Sequence, residues 1–321
     1  MKKYFILAAA AITLVACNQK EMENDGVQEP KVINLTASIN SGEDVTRASS
    51  ADDLQNTQFV ANEKIFVEAY ETGQSTAYKT GLYTTGANGA LTADNPGMYY
   101  PANNGAIDIC AYYPSDISSA SDEFTVGNDQ QTAANYRASD LMYATKLTNQ
   151  PSTTSETPVH LTFNHALTKI IVNITLDQSI TSQSITQPTI TAVKIKNTVR
   201  EASLSISGGA ITASKKTTGS PAPSASDINI TGTVDAVTGH SNMGIIVPQQ
   251  VAADDFIEVT YDGRTYTYEL PNATTFQAGK VYTYAFTLTA RELRLDVTAI
   301  NNWTAETGEG ANTGDDHNFT L

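Results

Sequence analysis

The chain has 321 residues, a length that suggests two domains, and a net charge of −15. Such a surface repels phosphate backbones and disfavours nucleic acid as a partner. Thr, Ser, Ala and Asn are abundant, 15 Tyr stand against one Trp, and only 17% of residues are charged. That is the profile of an extracellular all-β protein with many turns and half-exposed strands.

Lys2 and Lys3 precede an apolar run from Tyr4 to Ala16, broken only by Thr13. The run suits the core of a signal peptide and falls short of the about 20 residues that a membrane-spanning helix needs. It ends in Leu14-Val15-Ala16-Cys17. Small residues before the cut fit a narrow peptidase site, and the Cys17 thiol is the acyl acceptor. Residues 1–17 therefore read as a lipoprotein signal peptide, with Cys17 lipidated as the first residue of the processed protein. A diacylglycerol and an amide-linked chain together supply the two signals that stable membrane attachment requires. No Asp follows Cys17, so nothing argues for inner-membrane retention. The run Lys20-Glu21-Met22-Glu23-Asn24-Asp25 resembles the surface-export signal of Bacteroidetes lipoproteins and reads equally well as a solvated tether. The expected location is the outer membrane, facing outward.

Residues 18–30 are polar and acidic, a flexible tether. Residues 31–40 then alternate, with Ile33, Leu35, Ala37 and Ile39 on one face and Asn34, Thr36, Ser38 and Asn40 on the other, which predicts a half-buried strand. Residues 45–50 are small and polar without a period. Within them Arg47, followed by Ala48, is open to a trypsin-like protease.

From Thr57 onward short strands alternate with turns: 64–70, 77–84, 97–100, 106–112 and 141–146. Residues 150–158 are rich in Ser, Thr and Pro and read as an interdomain linker. The second half restarts at 159–163 and continues through 169–176, 191–196, 202–206, 228–231, 243–247, 256–261, 265–270, 280–289 and 293–299. Asp262-Gly263 marks a two-residue hairpin turn. Strands at this spacing without helical periods predict two antiparallel β-sandwiches in tandem, over residues 48–157 and 158–321, the second with a C-terminal extension. Cys110 lies in a predicted strand and, with Cys17 lipidated, has no partner in the chain. A buried small thiol is its expected role, and the fold is held by its cores without disulfides.

Nothing in the sequence points to catalysis, a metal or a cofactor. His160, His165, His240 and His317 form no metal-ligand pair at helical or zinc-finger spacing, and on one straight strand His160 and His165 face opposite sides. The acidic pairs Asp52-Asp53, Asp122-Glu123, Asp254-Asp255 and Asp315-Asp316 sit in polar turns and lack the spaced ligands of a calcium loop. No nucleophile elbow, phosphate loop or zinc-protease motif is present.

A series of short segments occurs in a recognisable order. It runs through Thr46-Arg47-Ala48, Thr57-Gln58-Phe59, Glu63-Lys64-Ile65-Phe66-Val67, Met98-Tyr99-Tyr100-Pro101 and Ala111-Tyr112-Tyr113-Pro114. It continues with Asp140-Leu141-Met142-Tyr143-Ala144, Leu161-Thr162-Phe163-Asn164-His165-Ala166-Leu167-Thr168-Lys169-Ile170, Ala278-Gly279-Lys280-Val281-Tyr282-Thr283-Tyr284 and Val297-Thr298-Ala299-Ile300-Asn301-Asn302-Trp303. With the lipoprotein signal in front, the chain resembles the fimbrillins, Mfa-like lipoprotein subunits of the type V pili of Bacteroidetes. The resemblance implies two transthyretin-like sandwiches and assembly by strand exchange. A trypsin-like protease would cut after Arg47, the first strand would leave, and a strand of another subunit would fill the groove. The implied partners are other pilus subunits, the outer membrane before processing, and a host or bacterial surface ligand.

The strand pattern points the same way. Removing residues 31–40 would strip a row of side chains and of backbone hydrogen bonds from a sheet edge, which is a template for another chain. Leu293, Leu295, Val297 and Ala299 match the lost face in kind and are one candidate donor; His317-Asn318-Phe319-Thr320-Leu321 is another. The competing reading is a permanently lipid-anchored adhesin, or a pilus anchor, that keeps acylated Cys17 and binds glycan or host protein.

Overall fold

The computed structural model describes residues 29–40, 59–94, 97–152, 157–181, 189–231, 234–235 and 239–303. Over these residues the chain is all-β. Its two α-helices there are short, α1 (Ala133–Ala138) and α2 (Gln178–Thr181).

The first half forms β1 (Leu35–Ile39), β2 (Lys64–Glu71), β3 (Lys79–Thr85), β4 (Ala90–Ala93), β5 (Ile107–Tyr113), β6 (Glu123–Thr125), β7 (Met142–Gln150) and β8 (Val159–His165). All but β6 close into a barrel in the order β1-β4-β3-β2-β5-β7-β8. Alternation selects the inward residues: Val159, Leu161 and Phe163 of β8 meet Ile65 and Val67 of β2 and the apolar row of β1 in one core. β5 is buried along both faces. Ile107, Ile109, Ala111 and Tyr113 point into the barrel, whereas Cys110 and Tyr112 join a second core outside it. Its apolar run from Ile109 to Tyr113 follows from that double burial. Burial also pushes the Cys110 thiol above its ordinary pKa, as expected of an inert packing residue.

The boundary expected at residue 158 falls one residue before a strand that the barrel uses. Residues 150–158 connect β7 to β8, which are antiparallel neighbours in one sheet. The sheet thus runs across the expected boundary, and Ser/Thr/Pro composition alone does not mark a change of domain. The chain leaves the barrel only after His165.

The second half supplies β9 (Thr168–Leu176), β10 (Ile190–Thr198), β11 (Glu201–Ser207), β12 (Ala210–Lys215), β13 (Ser226–Asn229), β14 (Val234–Asp235) and β15 (Gly239–Ile246). Then come β16 (Gln249–Val251), β17 (Asp255–Tyr261), β18 (Arg264–Glu269), β19 (Thr274–Phe276), β20 (Lys280–Leu288) and β21 (Leu293–Asn302). A five-stranded sheet, β14-β15-β9-β20-β21, and a four-stranded sheet, β13-β10-β17-β18, contribute to one core. β17 and β18 turn on Asp262 and Gly263 at φ 50 and 71, the two positive angles that the predicted hairpin requires.

The halves are tied together by β11. It pairs with β12 and with β6 of the first half in one three-stranded sheet. Gly209, at φ +77 in the β11–β12 turn, lies so close to the barrel that a Cβ would stand 2.7 Å from Lys146 N and 2.8 Å from Cys110 Cβ.

Each half holds its first strand between one antiparallel and one parallel neighbour. β1 lies between β4 and β8, and β9 lies between β15 and β20. β9 runs directly on from the barrel, whereas residues 41–58 separate β1 from the rest of its own barrel.

Candidate assembly seam

β1 closes the barrel. Its parallel register with β8 runs from Leu35 opposite Val159 to Ile39 opposite Phe163, and on the other side Leu35 and Thr36 face Leu91 and Ala90 of β4. The ladder is continued at its ends: Val159 N donates to Asn34 O at 2.9 Å, and Asn40 N donates to Phe163 O at 2.7 Å. Upstream, Ile33 N donates to Met98 O and Tyr100 N to Lys31 O, both at 2.9 Å.

The inward row is the predicted one. Ile33, Leu35, Ala37 and Ile39 are all at most 3% exposed. Burial of each large side chain in this row contributes roughly 1.5–3 kcal/mol. Tyr83 OH donates to Ile33 O at 3.3 Å, and burial holds its phenol at a pKa of about 12, so it remains a donor.

The outward row is engaged as well. The His160 ring meets Thr36 Oγ1 through Nδ1 at 3.0 Å and Ser38 Oγ through Nε2 at 2.9 Å. One step further, Asn40 Nδ2 donates to Asn164 Oδ1 at 2.8 Å. In the sequence His160 was only a histidine on a predicted strand outside any metal-ligand pair, because its contacts depend on β8 lying beside β1.

Without β1, β4 and β8 would each present an unpaired edge flanking an apolar trough. An extended chain can fill such a trough by pairing its backbone with both edges. Cys17, Arg47 and Ala48 lie outside the described residues, as do His317-Asn318-Phe319-Thr320-Leu321.

Leu293, Leu295, Val297 and Ala299 do not share one face. β21 carries a bulge: Phe286 of β20 faces Leu295 and Ala285 faces Val297, leaving Asp296 as the extra residue. Leu293 and Leu295 therefore pack toward the core, while Val297 is turned outward and is 54% exposed. Ala299 follows Val297, opposite the half-exposed Thr283. The alternation in the sequence is real, but one inserted residue flips its second half. β21 is also paired with β20 along its whole length.

His165 and His160 face opposite sides of β8, as their spacing requires. His165 is buried, with Nδ1 2.8 Å from Asp140 Oδ1, and the Trp303 ring stacks on it at 3.8 Å. Among the described residues no three His, Cys, Asp or Glu side chains converge as a metal site would require.

The model of a fimbrillin-like family matches residues 46–303. No curated protein sequence matches the chain. A candidate cell adhesion protein from Bacteroides ovatus ATCC 8483 superposes with a TM-score of 0.64 at 20% identity, covering 87% of this chain and 100% of that one. A second, from Bacteroides uniformis ATCC 8492, does so with a TM-score of 0.58 at 23% identity, covering 84% of this chain and 99% of that one. These two structures share the fold. The match over residues 46–303 includes the barrel strands from β2 to β8 and the second half through Trp303, and by it the chain belongs to the fimbrillin-like family.

Proposed function

We propose that this chain is a structural pilus subunit, delivered to the outer membrane as a lipoprotein through Cys17 and assembled by strand exchange after a cut between Arg47 and Ala48. The observation that carries the reading is the place of β1. Its removal would open the barrel, and the linker that holds it to the rest of the barrel contains Arg47. The start of the family match adds support, because it begins at Thr46 and leaves β1 outside the matched residues. The lipid would then hold the subunit at the membrane until the cut, followed by replacement of β1, releases it to the fimbria.

As donor strand, β21 would have to abandon its whole ladder with β20 and reverse the outward turn of Val297 and Ala299. A donor lying after Trp303, such as residues 317–321, or one supplied by another kind of subunit, leaves the second sandwich intact. That difference favours the latter.

A second reading is favoured by the completeness of the barrel with β1 in place. A subunit that keeps β1 and its acylated Cys17 would remain as a lipid-anchored adhesin or pilus anchor. Mass spectrometry of the mature surface protein separates the two. An N-terminus at Ala48 is the expected result, and an N-terminus at acylated Cys17 selects the anchor. An Arg47→Ala variant that still polymerised normally would sink the processing step.

A further inference from the structure

We propose that His160 selects the strand that fills the seam, favouring a strand of another subunit that presents hydroxyl side chains at two alternate outward positions. This rests on the strand-exchange reading above.

The imidazole spends both of its nitrogens on β1, Nδ1 on Thr36 and Nε2 on Ser38. A neutral imidazole has one donor and one acceptor, and which nitrogen carries the proton can change. A hydroxyl both donates and accepts, so two hydroxyls satisfy either tautomer, and two hydroxyl oxygens also satisfy the doubly donating imidazolium. A carboxylate only accepts and an ammonium only donates, so each suits some states of the ring and not others. Against ionic side chains, the hydroxyl pair is therefore the occupant chemistry that fits His160 in every protonation state.

The inward row cannot supply this discrimination. It asks for apolar side chains, which many strands of a β-rich subunit offer. The backbone ladder of β4 and β8 is indifferent to sequence. His160 is the group on β8 that contacts two side chains of the resident strand, and Asn164 extends the recognition to an amide at residue 40.

The test uses the full chain cut at Arg47 by an Arg-specific protease and incubated with synthetic peptides spanning residues 29–40. One peptide carries the native sequence and the other carries Thr36→Val with Ser38→Ala, which keeps strand shape and removes both hydroxyls. Native mass spectrometry reads which peptide has replaced the resident strand. The native peptide is expected to win by about tenfold, in line with the loss of two net hydrogen bonds at an exposed site. In a His160→Ala protein the two peptides should compete evenly, the signature of direct coupling. Even competition on the His160 protein overturns the selection while leaving strand exchange standing. A cut protein that takes up neither peptide, even after unfolding in urea and refolding in excess peptide, overturns strand exchange, and the selection with it.

Discussion

Gly89 passes so close to β1 that a Cβ on it would stand 2.2 Å from the Ala37 carbonyl oxygen. It also sits at φ +73, where an L side chain is strained by about 1–2 kcal/mol. The atom it would strike is backbone of β1, which no rotamer change can move aside. Gly89→Ala is therefore expected to displace β1 and to lower stability by at least that strain. Urea denaturation of the uncut protein measures the loss, and a variant as stable as the parent would refute the close approach.

Cutting at Arg47 should not by itself release β1. The inward row and the ladder to β8 hold the strand without the covalent link. The five other arginines stand in built structure. Arg137 is in α1, with Nε 2.6 Å from Glu63 Oε1, and Arg200 bonds Ser226 and the Val126 carbonyl. Arg264 opens β18, Arg291 lies in the tight β20–β21 turn, and Arg294 is in β21. An Arg-specific protease acting on the folded chain should thus cut after Arg47 alone. Denaturing mass spectrometry should show two pieces, and native mass spectrometry should show their summed mass. Immediate loss of the N-terminal piece would mean that β1 is held far more weakly than its burial implies.

The strands were largely legible because period-two alternation is local. The inward row of β1 and the Asp262-Gly263 turn needed only neighbouring residues. Pairing was not legible. Thr36 and His160 are 124 residues apart, and no local pattern says that β1 will lie parallel to β8. For the same reason β8 was expected in the second domain, and the role of His160 was missed. The β21 bulge was hidden in a sequence that alternates without a break, because a bulge is set by the partner strand. Cys110 gave the opposite case: an apolar run on a doubly buried strand announced a buried thiol correctly.

Glu258 of β17 accepts from Lys194 Nζ and Lys196 Nζ, both at 2.8 Å. The Lys194 bond, and then the Lys196 bond, hold its carboxyl below the usual value of 4.5. A depressed folded-state pKa gives stability that is fully present above the unfolded value and is lost as pH falls through the folded one. Glu258→Gln should therefore lose stability near neutral pH and show a shallower acid limb below about pH 4.5. Urea midpoints at pH 7 and pH 3 test this, and identical slopes in parent and variant would rule it out.

Trp303 is the sole tryptophan of the chain, so its fluorescence reports one place. That place is the joint where the end of β21 meets the end of β8. The Trp303 ring lies 3.8 Å from the His165 ring and 5° from parallel to it, and Trp303 N donates to Gly279 O at 2.7 Å. Beneath the indole, the His165 and Asp140 side chains are at most 1% exposed. His165 Nδ1 and Asp140 Oδ1 share a hydrogen bond there, at 2.8 Å. The indole thus shields a buried polar pair from water. Trp303→Ala should lower stability by about 3–5 kcal/mol, whereas Trp303→Phe should retain most of the cover at smaller loss. Asp140→Ala would leave the buried His165 Nδ1 without a hydrogen-bond partner, with a loss of about 1–3 kcal/mol. In the parent protein the emission should be that of a buried indole and should shift red on unfolding. Native emission already typical of water would place Trp303 outside the joint and remove the basis for all three effects.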